Sequence, residues 1–292
     1  MKRYFLYTLP LFLTILYILL LLHGTNLVTA DMGRHLINGK LFLSNWQPIA
    51  TNTYSYTYPD FPVLNHHWLF GVLLYLVFLV GGFVGTHLAF LATSAAAFLV
   101  FFRIAQQKAG LFLASAAALL CLPLIAERAE IRPEALSYLL ASIFFFLLLK
   151  HRQGKFSAKK LLAILGLLQI VWVNLHIYFF LGWVLVGVFL FESIYISGLK
   201  SKCTKMLAWC FGTILVASFI NPFTYTGALA PFTIFHEYGY RLVENQSVWF
   251  LQTILTMPNL LYFEIIFMLL VASFIPVFIK KRTQIRFTET II

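Results

Sequence analysis

Residues 29–68 read TADMGRHLINGKLFLSNWQPIATNTYSYTYPDFPVLNHHW, the only long polar passage in the first hundred residues. An apolar run precedes it, Asp31 stands near its start, and Asn65, His66, His67 and Trp68 close it at the mouth of the next apolar run. A carboxylate at the exit of a membrane helix is costly unless it is used. The rest of the chain reads as scaffold for this loop.

Composition places the scaffold in a membrane. The 292 residues are 61% hydrophobic and 17% aromatic, with a mean hydropathy of +0.87, whereas a soluble domain is apolar over about half its residues. The formal net charge of +11 resembles a nucleic-acid signal, but the basic residues fall in short breaks between apolar runs. That is the positive-inside pattern, and no nucleic-acid partner is expected from it. Cys121, Cys203 and Cys210 are odd in number and lack metal-ligand spacing, so neither a disulfide framework nor a zinc site is read from them. The N-terminal run is too long for a signal peptide and lacks a small-x-small cleavage site before Asp31, which favours a retained anchor helix.

The chain therefore reads as an all-α polytopic membrane protein of about 8–9 transmembrane or juxtamembrane helices, in one membrane domain over 1–292. Its parts are a first transmembrane helix at 1–22, an external loop at 23–67, a helical core at 68–220, a second external loop at 221–258, a last helix at 259–279 and a cytoplasmic tail at 280–292. Orientation follows from lysine and arginine. KHRQGKFSAKK at 150–160, LKSKCTK at 199–205, KKRTQIR at 280–286 and Lys2-Arg3 mark the cytoplasmic side, which puts ERAEIRPE at 127–134 and the VNLH turn at 173–176 outside. Residues 68–102 must then make an odd number of crossings, although they hold two apolar runs divided by Gly81-Gly82 and Gly85. A run at 68–84 that lies at or dips into the external interface satisfies this parity; a two-span hairpin would instead move 103–110 outside.

With that orientation seven of the ten acids and six of the eight histidines gather on the external face, from four separate loops. The positive-inside rule accounts for the lysines but not for this convergence, because acids contribute little to topology. Asp31, Arg34 and His35 open a short interfacial helix, with the carboxylate near the positive end of its dipole. An ionised acid there suits a general base or a ligand to a divalent metal, and it equally suits a helix cap beside an arginine partner. His66 and His67 adjoin one another, so one of the two is expected to face a shared site, and a metal site from Asp31 with Glu130 or His66 is conceivable. Glu130 and Arg132 offer a carboxylate and a planar, permanently charged phosphate donor, while Glu127 and Arg128 read as a salt-bridge cluster. Asn174 and His176 lie in a turn whose freed backbone groups they could satisfy. Glu244, beside Asn245, Gln246 and Trp249, completes the polar set as a substrate contact.

In order along the chain, DMGRHLINGK, SYTYPDFPVLNHHWL, RPE, NLH and NPF resemble the GT-C superfamily of integral-membrane glycosyltransferases over most of residues 1–250. The likeness is to members that use polyprenyl-phosphate-linked sugars, such as mannosyltransferases and aminoarabinose transferases. It implies transfer of a sugar from a polyprenyl-phosphate donor to a glycan, lipid or protein acceptor hydroxyl on the external face of what is expected to be a prokaryotic cytoplasmic membrane, with the N-terminus cytoplasmic. It further implies that Asp31 is catalytic, that Arg132 and Arg34 hold the donor phosphate, and that a divalent metal (Mg or Mn) takes part where a second acid accompanies the first. Here Met32 follows Asp31, and the chain is short for the family. His35, His66, His67, Glu130, Asn174, His176 and Glu244 stand as substrate contacts. Two other readings remain open at this point: a transporter or flippase of lipid-linked sugars, and a non-catalytic membrane partner that binds a lipid-linked glycan.

Overall fold

A computed structural model describes residues 2–24, 30–234 and 246–280. Its described elements are helices α1 (Lys2–Gly24), α2 (Ala30–Asn45), α3 (Trp68–Ala126), α4 (Glu134–Arg152), α5 (Ala158–Leu175), α6 (Phe180–Ser197), α7 (Lys202–Ala217), α8 (Thr224–Thr233), α9 (Val248–Ile254) and α10 (Pro258–Lys280), with a 3-10 turn at Ile177–Phe179. Among the described residues the only β pairing is an isolated bridge between Thr51 and Pro62.

Among the described residues five helices are long and apolar enough to cross a membrane: α3, α4, α5, the Ile177–Ser197 stretch and α10. This is fewer than the eight or nine counted in the sequence, for two reasons. The 16-residue α7 falls short of a full span, so it would need a thinned bilayer. Also, α3 is one 59-residue helical element, holding three of the apolar runs, folded into three arms by two glycines. Gly82 (φ 58°, ψ −153°) and Gly110 (φ 82°, ψ 169°) leave helical geometry there, at positive φ that a residue with a Cβ rarely adopts.

The arms double back on one another. Phe70 and Val77 of the first arm, 68–81, line one groove with Thr93 and Thr86 of the middle arm, 83–109. Phe98 and Phe102 of the middle arm line another with Ala118 and Ala114 of the last arm, 111–126. α1 runs antiparallel to the middle arm: Tyr17 lies beside Ser94 and Phe98, with the Phe98 ring tilted at 5.4 Å between centroids, while Tyr7 and Pro10 lie with Arg103 and Gln106. The first arm is about 21 Å long at 1.5 Å per residue, short of the ~30 Å hydrocarbon core, and it packs between the start of the middle arm and α2.

The other helices alternate in direction through pairwise contacts. At one end Lys150 reaches Gln107 (3.4 Å), Arg152 pairs with Glu192 (3.1 Å) and Ser193 meets Thr204 (2.8 Å). At the opposite end lie Asp31, Arg132, His67 and His176. A buried polar network joins four helices near that end. Gln169 donates to Ser218 Oγ (3.0 Å) and to the Phe179 carbonyl (3.2 Å), Trp183 donates to Ser218 (3.0 Å), and Trp172 donates to Ser137 (2.9 Å). Interhelical hydrogen bonds of this kind contribute roughly 0.6–2 kcal/mol each in apolar surroundings.

Neither external stretch of the sequence reading is a plain loop. Residues 23–67 carry α2, whose buried positions Met32, His35, Asn38 and Gly39 recur at helical spacing and define one inward face. Residues 221–258 carry α8 and α9. α2 is pressed against the first arm of α3 at a crossing of two glycines, where a Cβ on Gly39 would overlap the Gly71 carbonyl oxygen and one on Gly71 would come within 2.8 Å of the His35 carbonyl.

Gly39→Val is therefore expected to destabilise the protein by roughly 1–3 kcal/mol through overpacking. Gly33→Ala, on the open face of the same helix with nothing within 4 Å of the added methyl, is expected to leave stability unchanged or raise it by ~0.5–1 kcal/mol. Thermal unfolding of the purified variants in one detergent checks both, and equal loss in the two would show that the crossing is not the cause.

Candidate functional site

Asp31 sits in the first turn of α2, and its two oxygens are held by different arginines. Arg34, one helical turn on, places Nη2 2.8 Å from Oδ1, and Arg132 reaches Oδ2 at 3.2 Å from the α3–α4 connection. Arg132 is also in ion contact with Glu130 (Nε to Oε2 2.5 Å). The resulting chain of charges runs Arg34, Asp31, Arg132, Glu130. Its solvent exposure is unequal: the Arg132 side chain is 16% exposed and that of Glu130 44%, so the guanidinium is the inner, better shielded member, where its charge acts most strongly.

Beneath this chain lies a group of four imidazoles. His67 stands between His35 (ring centroids 5.4 Å, edge-on) and His176 (5.2 Å, stacked), with His66 at 3.9 Å on its flank. His66 Nδ1 lies 3.2 Å from the Leu64 carbonyl. Ser137, which accepts from Trp172, lies 2.8 Å from His176 Nδ1. Both members of the His66-His67 pair join the group, contrary to the expectation of one, because they precede the helix that begins at Trp68 and a helical face does not govern their directions. Burial, the dominant cause, lowers His35 and His176 from 6.5 to about 3 and His66 to about 4, and it also lowers His67. Nearby Arg34 adds to the depression at His35, His66 and His67. At neutral pH these rings are uncharged donors and acceptors. His35 Nδ1 is buried without a hydrogen-bond partner, a polar atom left for something else to satisfy.

Asn174 acts as a structural bracket. It accepts from the Trp68 indole (2.8 Å) and donates to the carbonyls of Ile170 (2.7 Å) and Ile220 (2.9 Å), so it ties the end of α5 to the first residue of α3 and to the turn after α7. Glu127 likewise accepts from Asn259 (2.6 Å) and joins α3 to α10. Of the residues singled out in the sequence, Asp31, Arg34, His35, His66, His67, Glu130, Arg132, Asn174 and His176 converge on one end of the bundle. Glu244 lies outside the described residues.

The metal reading does not fit the geometry of these side chains. Asp31 and Glu130 do approach a common point, but the Arg132 guanidinium fills it. Among the described residues no three His, Cys, Asp or Glu side chains are disposed to hold a metal ion.

Two features of the site escape sequence reading. A narrow cleft beside Arg132 is lined by Arg128, Glu130 and Glu134 together with Tyr17 and Tyr138, and Arg128 thus faces the site rather than serving only as a surface salt bridge. The cleft shares Tyr17, Ser94, Ile125, Arg128 and Tyr138 with an apolar cavity of about 610 Å³ between the middle and last arms of α3, closed on one side by Phe263 of α10. Tyr17 and Phe263 belong to helices that read as uniform membrane spans, so only the tertiary structure brings them here. Above the site, residues 50–63 fold back through Asn52 N to Phe61 O (2.9 Å) and Val63 N to Ala50 O (2.9 Å), and Tyr54 donates to Asn38 of α2. Tyr56 and Tyr58 are left projecting.

The histidines make a checkable statement about pH. Above pH 6.5 His35 and His176 are neutral in both folded and unfolded chains and contribute nothing to pH dependence. Below 6.5 the unfolded chain takes up protons that the folded one refuses until about pH 3, so stability falls throughout that window. The unfolding temperature is expected to be flat at neutral pH and to drop on acidification below 6.5, with a shallower drop in the His35→Gln, His176→Gln double variant. An unchanged slope would place the acid sensitivity elsewhere.

Comparison with protein-family models, with curated proteins and with solved structures found no match to this chain.

Proposed function

We propose that the protein is a GT-C-type glycosyltransferase that moves a sugar from a polyprenyl-phosphate donor to an acceptor hydroxyl on the external face of a prokaryotic cytoplasmic membrane. The observation that carries this reading is the union of an apolar cavity of about 610 Å³ with a cleft holding Arg128 and Arg132, the latter bound to Asp31. A polyprenyl phosphate has that division of chemistry: a long apolar chain ending in an anion. The chain occupies the cavity and the phosphate lies at the arginines. Arginine suits this role because its planar fork pairs with phosphate oxygens two at a time.

In the reaction Asp31 takes the proton of the acceptor hydroxyl, the freed oxygen forms a bond to the anomeric carbon, and the carbon–oxygen bond to phosphate breaks. The electron pair leaves with the polyprenyl phosphate. Negative charge grows on the leaving phosphate as the bond breaks, and fixed cationic donors stabilise it more than they stabilise the bound donor. Arg132 is shared by Asp31 and Glu130, so an arriving phosphate competes with both carboxylates for it and loosens Asp31 for proton transfer. The neutral histidines beneath can donate to sugar hydroxyls or accept from them without adding charge.

Sidedness follows from charge. The connections at the end opposite Asp31 carry Arg103, Lys108, Lys150, Arg152, Lys155, Lys159, Lys160, Lys200, Lys202 and Lys205, so that end faces the cytoplasm by the positive-inside rule and Asp31 faces out.

Purified protein in vesicles, supplied with a polyprenyl-phosphate sugar, is expected to release polyprenyl phosphate in step with glycosylated product. Asp31→Asn is expected to lower turnover by about 10²-fold or more, and Arg132→Gln by about 10²–10³-fold, with unfolding temperatures measured alongside. Unchanged turnover in Asp31→Asn would remove its role as base. Movement of the lipid-linked sugar across the vesicle membrane without product would replace the transferase with a transporter.

A further inference from the structure

A second apolar groove reaches the same charged cleft from the other side. It has a volume of about 300 Å³ and lies between the first and middle arms of α3, with Leu73, Val77, Ala89 and Thr93 among its walls. It ends on Arg132, and it shares Phe90 and Ala135 as well as Arg132 with the cleft. The larger cavity meets the cleft through a different set, Tyr17, Ser94, Ile125, Arg128 and Tyr138. One cluster of charges therefore has two separate apolar approaches, both within the ~300–1,000 Å³ range of sites for small molecules.

The surroundings of the second groove point to lipid rather than to a water-borne glycan. Beyond its rim the hairpin leaves Leu76, Leu79, Val80, Phe83, Val84 and Leu88 exposed, at 44–93%. No charged residue occurs between Asp60 and Arg103. A contiguous apolar surface of this kind marks contact with membrane or a partner, and its uncharged composition fits acyl chains. A chain lying in the groove would start in the bilayer and present its head at Arg132 and Asp31.

We infer that the acceptor is itself a hydroxyl-bearing membrane lipid, its alkyl chain lying between Leu73, Val77, Ala89 and Thr93 while the polyprenyl chain fills the larger cavity. This rests on the transferase reading above and adds the acceptor class to it. The acceptor hydroxyl loses its proton to Asp31 and bonds to the anomeric carbon, and polyprenyl phosphate departs on the opposite side of Arg132. Each lipid has its own path, so both are bound at once when the bond forms.

The test uses the full chain in phosphatidylcholine nanodiscs with two photoreactive probes, a diazirine farnesyl phosphate and a diazirine diacylglycerol with a free primary hydroxyl, mapped by peptide mass spectrometry. Farnesyl phosphate is expected to label residues 97–121 and diacylglycerol residues 73–93. Each label should be competed by its own unlabelled lipid but not by the other. Ala89→Trp and, separately, Thr93→Trp are expected to reduce diacylglycerol labelling at least about tenfold by filling the groove, with farnesyl phosphate labelling retained. Diacylglycerol labelling that does not saturate, or that farnesyl phosphate displaces, overturns the two-lipid inference and leaves the donor site standing. Failure of farnesyl phosphate to label 97–121 overturns the donor reading itself. Labelling and competition are both measured on the unmutated protein, so they decide the matter even if a tryptophan variant does not fold.

Discussion

Where Gly39 crosses Gly71, two helix backbones meet with no side chain between them, and the Asp31 end of the molecule is arranged around that contact. Helices with ordinary side chains at the crossing stand 8–10 Å apart, and small residues let them approach more closely. The close approach lays α2 along the first arm of α3. His35 then meets Phe70 edge-on (4.9 Å) and His67, and Phe42 stacks on Trp68 (4.7 Å). Trp68 in turn is bonded to Asn174, so the position of α2 is passed to α5 and α7 through one indole and one amide. Asp31 reaches Arg132 because α2 is held in this way.

Arg132 is where the two halves of the site meet. It is fixed by carboxylates from different parts of the chain, Asp31 on α2 and Glu130 beside it, and it borders both the cleft and the smaller groove. A lysine could supply the charge but not the fork, which lets one side chain face two acids in different directions. The four neutral imidazoles beneath make a lining that is polar without being charged. This keeps the net charge near Asp31 in the hands of the arginines and leaves the electrostatics of the site with few members.

The sequence made the charged residues legible and hid the surfaces that connect them. Asp31 and Arg34 are three apart on a helix, the spacing at which side chains meet, and Glu130 and Arg132 stood out as acids and bases packed into a short break between apolar runs. The break at Gly81-Gly82, which the sequence marked as the divide between two apolar runs, is where the first arm of α3 ends, at the positive φ of Gly82. Asn174, in contrast, has a decisive partner, Trp68, 106 residues away, and nothing local signals such a pair. Gly39 and Gly71 carry no signal in the sequence, because a crossing point depends on which helices become neighbours. Tyr17, Tyr138 and Phe263 are aromatic residues in apolar helices, where rings are common, and their place around a cavity is set by packing alone. The pairing of Asp31 with Glu130 is a related case: residue types told of two acids near one another, but only geometry showed an arginine between them.

The last helix gives the larger cavity an unusual wall. None of the apolar window of α10 is buried, and its described polar ties to the rest of the protein are Asn259 to Glu127 and Tyr262 to the Leu120 carbonyl (2.6 Å). The core, centred on Phe144, Trp172 and Phe179, is complete without it. Because segments made earlier in synthesis fold first, the body of the protein is assembled before this wall is laid against it. The cavity thus begins as an open trough and gains its Phe263 wall only afterwards, so whatever enters it can do so sideways, before α10 is laid down, without threading through an aperture.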